Sequence, residues 1–223
     1  PILEQLYPHR EKPGPQALIL VPTRELAVQV STEVVKLSTG QRVHCVALYG
    51  GKPIRGQIEK LRRGAEIIVG TPGRVLDHLS RGTLKLDDVW CVVLDEADRM
   101  LDIGFRPDIE KILRRCPSDR QTLLLSATVP PPIQKLAERY MCEPKFLNFS
   151  PKDLSVDTIE QFYFTVDHHR KFDLLLQLLQ REQPKQSIVF CRTKRGTEKI
   201  YQRLEKKLQQ VATIHGDMNQ SMR

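Results

Sequence analysis

Cysteine is scarce in this sequence, and its few positions do not form pairs. The 223-residue chain contains five cysteines, which are scattered and never spaced as C-x-x-C. An odd number of isolated thiols argues against the disulfide framework of a small secreted domain and against a cysteine-based zinc site. We therefore expect a protein of the reducing cytoplasm.

Long hydrophobic runs are also missing. The longest apolar stretches, such as "ALILV" and "CVVL", are far shorter than the roughly 20 residues that a membrane-spanning helix needs. The opening residues "PILEQLYPHREKPGP" lack the charged, apolar and small-residue order of a signal peptide. Nothing in the sequence predicts attachment to a membrane.

Aromatic residues are few, and acidic residues are outnumbered. Aromatics make up 6% of the chain, so the sequence offers no evident platform for stacking on nucleic-acid bases. Phe105, Phe162, Tyr163 and Phe164 lie in apolar contexts and are expected in a core. With 35 Lys and Arg against 27 Asp and Glu, the formal net charge is +8. This charge favours a polyanionic partner, although a merely basic surface is an equally good explanation.

What the sequence does contain is a regular alternation of short apolar runs with longer stretches of helical periodicity. This alternation predicts strands joined by crossover helices, an α/β fold with a parallel sheet. Strands are predicted over residues 17–21, 44–48, 66–69, 91–94, 122–125, 159–166, 187–191 and 211–214. Helices are predicted over residues 24–37, 54–62, 106–114, 131–141, 168–179 and 194–209.

The stretch "NFSPKDLSVD" interrupts this pattern. It has no periodicity and carries Ser, Pro and Asp in turn-forming positions, which indicates a linker. We expect a first domain over residues 1–149, a linker over residues 150–157 and the first part of a second domain over residues 158–223.

Three carboxylates follow one of the predicted strands. In "VVLDEADRML", Asp95 comes directly after the apolar run, with Glu96 and Asp98 close behind. Ligands of open α/β sheets bind at the carboxyl ends of the strands, where Asp95 can hold Mg²⁺ through water. Glu96 can orient or deprotonate a water that attacks a phosphoryl group. The alternative is that these acids only cap the following helix.

Two other junctions between a strand and a helix have the features of anion sites. In "VPTRELAVQV", the first N–H groups of a helix and the Arg24 guanidinium can both face a phosphate. In "GTPGRVLDHL", Gly70 and Gly73 permit close approach of a backbone, and Pro72 suits a first helical turn. Ordinary helix capping by Thr23 is the alternative explanation of the first junction.

Several motifs follow one another along the chain. They are "PTRELA" at residues 22–27, a glycine pair at 50–51, "TPGR" at 71–74, "DEAD" at 95–98, "SAT" at 126–128, "IVFCRTKR" from residue 188 and "HGDMNQSMR" from residue 215. Each string alone is weak evidence, and "SAT" alone is equally a turn capped by hydroxyl groups. Together they resemble the DEAD-box ATP-dependent RNA helicases of superfamily 2 over essentially the whole chain.

The resemblance implies two RecA-like parallel-sheet domains that close on ATP and single-stranded RNA. It implies that Asp95 holds the water shell of Mg²⁺, that Glu96 positions the attacking water, and that Asp98 contacts the SAT segment. That segment consists of Ser126, Ala127 and Thr128. Its contact with Asp98 would link the nucleotide state to domain closure. The expected activity is RNA-dependent ATP hydrolysis, coupled to RNA clamping and to local unwinding or remodelling of RNA–protein complexes.

The resemblance also implies contacts to the phosphates and riboses of RNA from both domains. The residues concerned are Pro22, Thr23, Arg24, Gly51, Thr71, Gly73 and Arg74 in the first domain and Thr193, Gln220 and Arg223 in the second. Such contacts read the backbone rather than base edges, so little sequence specificity is expected. Partners in RNA–protein or ribosomal assemblies fit this activity.

A phosphate-binding loop is missing from the sequence. The motif G-x-x-x-x-G-K-[ST] does not occur, and "GGKP" at residues 50–53 has Pro where the hydroxyl belongs. The family's arginine-bearing segment that reaches the triphosphate is absent as well. We therefore expect both domains to be incomplete and this chain alone to be inactive in hydrolysis. The alternative is a non-catalytic RecA-like module that binds RNA or a partner.

Overall fold

The chain folds into two units, Pro1–Asn148 and Phe149–Arg223. The structure is a computed structural model that describes residues 1–6, 14–41, 43–149 and 159–218. The predicted linker at residues 150–157 lies outside the described residues.

The first unit is built on a five-stranded parallel sheet with the order β2-β3-β1-β4-β5. The strands are β1 (Ala17–Leu20), β2 (Cys45–Leu48), β3 (Ile67–Gly70), β4 (Cys91–Leu94) and β5 (Gln121–Leu124). The central strand is β1, with β2 and β3 on one side and β4 and β5 on the other. The chain adds β2 and β3 on one side of β1 and then crosses to the other side to form β4 and β5. The place where this change of side occurs is the topological switch point, at which α/β sheets bind ligands. The predicted α/β fold with a parallel sheet is confirmed.

The strands pair without any stagger. Leu20 of β1 is opposite Gly70 of β3 and Leu94 of β4, and the outer pairs keep the same register. The last residues of the strands, Leu48, Gly70, Leu20, Leu94 and Leu124, therefore form one row across the sheet. The loops that leave these residues all start at the same edge.

Most of the helices lie close to their predicted ranges, but no range was predicted for the two that begin within the TPGR and DEAD motifs. In the first unit the helices are α1 (Arg24–Leu37), α2 (Ile54–Arg62), α3 (Pro72–Ser80), α4 (Ala97–Asp102), α5 (Arg106–Leu113) and α6 (Pro131–Tyr140), after a 3-10 turn at Leu3–Gln5. In the second unit a 3-10 turn, His168–Arg170, precedes α7 (Lys171–Glu182) and α8 (Lys194–Glu205). Within the described residues, no helix combines the length and hydrophobicity needed to span a bilayer.

Helices cover both faces of the sheet. Every residue of β1, β3 and β4 is buried, which explains why these strands read as continuous apolar runs. Alternate residues of β1 enter different hydrophobic clusters, Leu18 and Leu20 on one face and Ala17 and Ile19 on the other. Residues of α3, α5 and α6 complete the first cluster, and residues of α1 complete the second. Phe105 packs against the first cluster, as predicted.

The second unit differs from its prediction. The strands predicted over residues 159–166, 187–191 and 211–214 are not formed among the described residues. A strand needs a paired neighbour, and apolar side chains on one face need a second layer to cover them. Here Phe162, Tyr163 and Phe164 are 78%, 93% and 52% exposed, so their assignment to a core was wrong.

Gly70 provides a test of how tightly the end of β3 is packed. A Cβ at this position would lie 2.6 Å from Val75 Cγ2 and 2.8 Å from the Leu48 carbonyl oxygen. Gly70→Ala is therefore expected to lower the free energy of unfolding by roughly 1 to 3 kcal/mol, the usual range for overpacking. Urea denaturation followed by the fluorescence of Trp90, the single tryptophan, measures this change.

Gly56 is the matched control, because it lies within α2 and a Cβ there would meet no atom within 4 Å. Gly56→Ala should stabilise the chain by up to about 1 kcal/mol through helix propensity. Equal stability of the two alanine variants would contradict this description of the Gly70 site.

Candidate functional site

Backbone hydrogen bonds fix the first residue after most of the strands. The N–H groups of Val21, Thr71, Asp95 and Leu125 donate to the last carbonyl of the adjacent strand, at Gly70 (3.0 Å), Leu48 (2.9 Å), Leu20 (2.9 Å) and Leu94 (2.8 Å). These bonds extend the ladder by one residue and hold the start of each loop in place. We call this side of the sheet, where all strands end, the carboxyl edge.

Asp95 lies at the carboxyl edge directly after β4 and is half-buried. Its Oδ1 accepts a hydrogen bond from the Glu96 N–H at 3.0 Å. Burial raises the pKa of Asp95, the hydrogen bond from the Glu96 N–H opposes this rise, and the negative charge of Glu96 adds to it. A cation nearby would favour the charged carboxylate and oppose this rise.

Glu96 connects β4 to α4 through a left-handed backbone conformation. Its φ and ψ are 49° and 51°, a region that costs a non-glycine residue roughly 1 to 3 kcal/mol. The side chain forms an exposed ion pair with Arg99, with 3.1 Å between Glu96 Oε2 and Arg99 Nη1. Exposed pairs contribute little stability, so the Glu96 carboxylate can exchange Arg99 for another partner. Strain at a strand-to-helix junction that carries two carboxylates is typical of a functional site.

Asp98 joins the ends of β4 and β5. Its Oδ2 accepts hydrogen bonds from the Thr128 N–H (3.0 Å) and the Thr128 hydroxyl (2.8 Å), and its Oδ1 accepts one from the Arg99 N–H (2.9 Å). The Asp98 N–H donates to Ser126 Oγ at 3.2 Å, and the Ser126 hydroxyl donates to the Thr128 carbonyl at 2.6 Å. The contact that the resemblance implies is present, while its link to the nucleotide state stays a prediction.

These hydrogen bonds determine the charge of Asp98. Burial alone would raise the pKa of Asp98, but the bonds with Thr128, Arg99 and Ser126 together outweigh burial and lower it. The Ala97 N–H adds a backbone bond to the Leu125 carbonyl at 3.0 Å. The two strand ends are thus joined by a network that favours a negatively charged Asp98. Ala127, between the two hydroxyl residues, is exposed.

Arg24 begins α1 after β1, and its guanidinium lies against Gly51 in the turn after β2. Thr23 caps this helix, since its side chain accepts the Leu26 N–H at 3.2 Å. Gly51 has a φ of +78°, and a Cβ there would lie 2.6 Å from Arg24 Cζ. Only glycine fits beneath the guanidinium in this conformation. The glycine turn, residues 49–52, and the start of α1 therefore form one surface.

The start of α3 reaches the same glycine turn. Thr71 is the buried residue before the helix, and Pro72 is its first residue. Arg74 Nη1 donates to the Lys52 carbonyl at 3.1 Å. Gly73 is exposed between them and leaves the helix start open to a ligand.

The carboxyl edge therefore has a basic half and an acidic half. The basic half, at the ends of β2, β3 and β1, contains the predicted RNA-contact residues Pro22, Thr23, Arg24, Gly51, Thr71, Gly73 and Arg74. Of these, Pro22 and Thr71 are buried and can contribute only packing and backbone groups. The acidic half, at the ends of β4 and β5, contains Asp95, Glu96, Asp98 and the SAT segment.

Of the three residues predicted to contact RNA in the second unit, the structure describes one. Thr193 is exposed and caps α8, where its side chain accepts the Gly196 N–H at 3.0 Å. Gln220 and Arg223 lie outside the described residues.

Sequence reasoning missed four residues that support the site. Arg99 follows Glu96 at helical spacing, and Lys52 is next to the glycine pair, so both had a detectable signal. Gln57 and His78 are polar residues buried on two different helices and belong to no short motif. Their contacts with each other and with Tyr49 are visible only in the structure.

Two family models match the chain. The model described as DEAD/DEAH box helicase matches residues 1–136, and the model described as helicase conserved C-terminal domain matches residues 170–223. The first match covers the whole carboxyl edge described above.

Curated relatives with high identity carry related names. The DEAD-box ATP-dependent RNA helicase CshA of Bacillus subtilis (strain 168) is 46% identical over 223 residues, which is 100% of this chain and 45% of the relative. The ATP-dependent RNA helicase CshA of Listeria monocytogenes is 49% identical over 208 residues, which is 93% of this chain and 40% of the relative. The chain thus spans less than half the length of these relatives.

Solved structures give the same result. The crystal structure of a DEAD box protein from the hyperthermophile Methanococcus jannaschii matches with a TM-score of 0.63 and 41% identity, covering 99% of this chain and 58% of that chain. A hypothetical ATP-dependent RNA helicase from Sulfolobus tokodaii matches with a TM-score of 0.58 and 36% identity, covering 65% of this chain and 41% of that chain. The predicted resemblance is confirmed, and the chain belongs to the DEAD-box family of superfamily 2 helicases.

Proposed function

We propose that this chain is part of an ATP-dependent RNA helicase, an RNA-dependent ATPase that clamps RNA and locally unwinds duplexes or remodels RNA–protein complexes. The observation that carries the proposal is the Asp98 network. It connects the end of β4, where Asp95 and Glu96 lie, to the SAT segment after β5. A change at the two carboxylates can therefore reach the next strand. The names of the relatives support the same activity.

Asp95 is proposed to hold Mg²⁺, through water, beside ATP. Its carboxylate oxygens suit a hard cation, and burial makes its negative charge unfavourable without one. In the described part of the chain, no three His, Cys, Asp or Glu side chains are grouped so that they could hold a metal ion. Water and phosphate oxygens would therefore supply the other ligands. Bound Mg²⁺ would neutralise charge on the phosphates.

Glu96 is proposed to orient the water that attacks the terminal phosphoryl group of ATP. It follows Asp95 directly, at the strained junction between β4 and α4. An ionised carboxylate accepts a hydrogen bond from water and can take up its proton. The weak, exposed ion pair with Arg99 leaves the carboxylate free to do this when ATP is bound.

The basic half of the carboxyl edge is proposed to bind the backbone of single-stranded or locally unwound RNA. The starts of α1 and α3 offer N–H groups to phosphates, and Arg24 adds a guanidinium. In the second unit, Thr193, Gln220 and Arg223 would add contacts. Contacts of this type carry little sequence information. A cytoplasmic protein acting on RNA–protein or ribosomal assemblies fits these properties.

Replacement of Glu96 by glutamine tests the proposed hydrolysis. Glu96→Gln is expected to lower RNA-stimulated ATP hydrolysis by at least about 100-fold, because a neutral amide cannot take a proton from water. The measurement is phosphate release by the protein in its full reading frame and by the 223-residue chain alone. Binding of single-stranded RNA should not change, since Glu96 lies in the acidic half.

Glu33→Gln is the matched control, because Glu33 forms a similar exposed ion pair with Lys36, at 2.7 Å on α1. Full hydrolysis by Glu96→Gln would show that Glu96 does not act on the attacking water. If the unsubstituted full-length protein bound RNA without any ATP hydrolysis, the chain would instead belong to a non-catalytic binding module.

The two aspartates should affect stability in opposite directions. The raised pKa of Asp95 means that its ionisation destabilises the fold as the pH rises from the usual value of 3.8 through the raised value. The lowered pKa of Asp98 means that its ionised form stabilises the fold above the usual value of 3.8. That stability is lost as the pH falls through the lowered pKa.

At neutral pH, Asp95→Asn should therefore unfold at higher urea concentration than the wild type, and Asp98→Asn at lower concentration. The Asp95→Asn difference should disappear as the pH falls from the raised pKa of Asp95 to the usual value of 3.8. The Asp98→Asn difference should disappear as the pH falls from 3.8 through the lowered pKa of Asp98. Asp119→Asn, at an exposed position, is the control. A destabilised Asp95→Asn at neutral pH would contradict the effect of burial on Asp95.

Arg24→Met tests the basic half. Loss of one charged phosphate contact should weaken the binding of single-stranded RNA about tenfold, and equally for different sequences. The slope of log K against log salt concentration should decrease by about 1. Arg81→Met is the control, because Arg81 follows the far end of α3 and pairs with Asp77 at 2.6 Å. The same loss in both variants would mean that only net charge matters.

A further inference from the structure

A buried chain of polar groups connects α3 to the glycine turn. His78 of α3 is fully buried, and Gln57 of α2 is 7% exposed. Gln57 Nε2 donates to the Tyr49 carbonyl at 3.0 Å, and Gln57 Oε1 lies 3.2 Å from His78 Nε2. On its other side, His78 Nδ1 lies 2.9 Å from Thr83 Oγ1. The chain ends at the first residue of the glycine turn.

The directions of the two hydrogen bonds of Gln57 follow from the Tyr49 carbonyl, which can only accept. The Gln57 amide must turn its NH₂ group to Tyr49, which leaves Oε1 facing His78. His78 Nε2 must then carry the proton, and in the neutral ring Nδ1 is an acceptor 2.9 Å from Thr83 Oγ1. The single Thr83 hydroxyl proton also lies within reach of the His78 carbonyl, at 3.1 Å. Burial, helped by the charge of Arg74, lowers the pKa of His78, so the neutral ring required here is the favoured form.

The same helix holds the glycine turn at a second point. Arg74 lies one helical turn before His78 on α3 and donates to the Lys52 carbonyl at 3.1 Å. The buried chain fixes Tyr49, and Arg74 fixes Lys52, so both ends of the turn are bound to α3. Between Tyr49 and Lys52, Gly51 lies against the guanidinium of Arg24.

We propose that Gln57 and His78 are positioning residues for RNA binding. They lock the glycine turn to α3, so that the groups at the ends of β2, β3 and β1 form one surface before RNA arrives. Both side chains are buried and act only through the Tyr49 carbonyl. The inference rests on the proposed function of the basic half and identifies which interior groups preorganise it.

If the buried chain had a purely structural role, loss of any similarly buried polar contact would affect RNA binding in the same way. A substitution at Glu66 distinguishes that role from the proposed positioning role. Glu66 is 4% exposed and its side chain accepts the His44 N–H at 2.6 Å. It precedes β3, at the edge of the sheet opposite the glycine turn. Glu66→Met therefore removes a similarly buried polar contact without touching the basic half.

The experiment compares Gln57→Met, His78→Met, the double variant and Glu66→Met in the 223-residue chain. Binding of a short fluorescent single-stranded RNA is measured by anisotropy at a temperature where circular dichroism shows every variant to be folded. We expect Gln57→Met to weaken binding about tenfold, because the competent conformation of the turn becomes a minor one. The double variant should bind no more weakly than Gln57→Met, because the two residues act as one unit. Glu66→Met should bind like the wild type.

Hydrogen exchange gives a second, local measurement. The amides of residues 50–52 should exchange faster in Gln57→Met than in the wild type and should be unchanged in Glu66→Met. If Gln57→Met does not fold, Thr83→Val removes only the outer end of the chain. Thr83→Val should weaken RNA binding in the same direction by a smaller factor.

Wild-type affinity in a folded Gln57→Met, or equal weakening in Glu66→Met, would overturn the inference. Arg24→Met is included as a reference for the binding surface itself. If Arg24→Met weakens binding and the variants of the buried chain do not, only the positioning role is wrong. If Arg24→Met also binds like the wild type, the RNA surface is wrong and the positioning role falls with it.

Discussion

β3, β1 and β4 are buried on both faces, and this burial determines where the polar chemistry of the first unit can lie. Water cannot reach their backbone N–H and C=O groups, so those groups must pair across the ladder. Alternate side chains enter two separate hydrophobic clusters, which leaves no position for a charge within the strands. Charged groups can emerge only where the strands end. Because the register has no stagger, they emerge along a single edge.

The order of the strands then separates the charges along that edge. Arg24 follows β1 and Asp95 follows β4, and these strands are direct neighbours. The border between the basic and acidic halves therefore runs between two strands whose ends are joined by the bond from the Asp95 N–H to the Leu20 carbonyl, 2.9 Å long. Under the proposed function, the two halves of this edge would bind two phosphate-bearing ligands by different means. The basic half would offer N–H and guanidinium groups directly, whereas the acidic half would need a cation between carboxylate and phosphate.

Much of this arrangement could be predicted from the sequence, because periodicity records which side chains face a core. The bounds of α1 and α2 agree with the predicted residues 24–37 and 54–62, and the ends of the five strands of the first unit lie within about one residue of prediction. Periodicity does not show whether a strand pairs with a neighbouring strand. Strands were therefore predicted in the second unit that are not formed among its described residues. The left-handed conformation of Glu96 depends on how β4 meets α4, and the pairing of Gln57 with His78 depends on the contact between two helices. Neither arrangement produces a pattern in the sequence.

Asp95 and Asp98 lie in one loop, and their pKa values are shifted in opposite directions. They are three positions apart, yet burial raises the pKa of Asp95, whereas hydrogen bonds that outweigh burial lower that of Asp98. The first carboxylate accepts a hydrogen bond from the Glu96 N–H and is proposed to hold a cation. The second accepts hydrogen bonds from several donors, two of them from Thr128, and these bonds favour its charged form. A ligand that changes the first carboxylate therefore acts on a loop whose other end is firmly bound to the next strand.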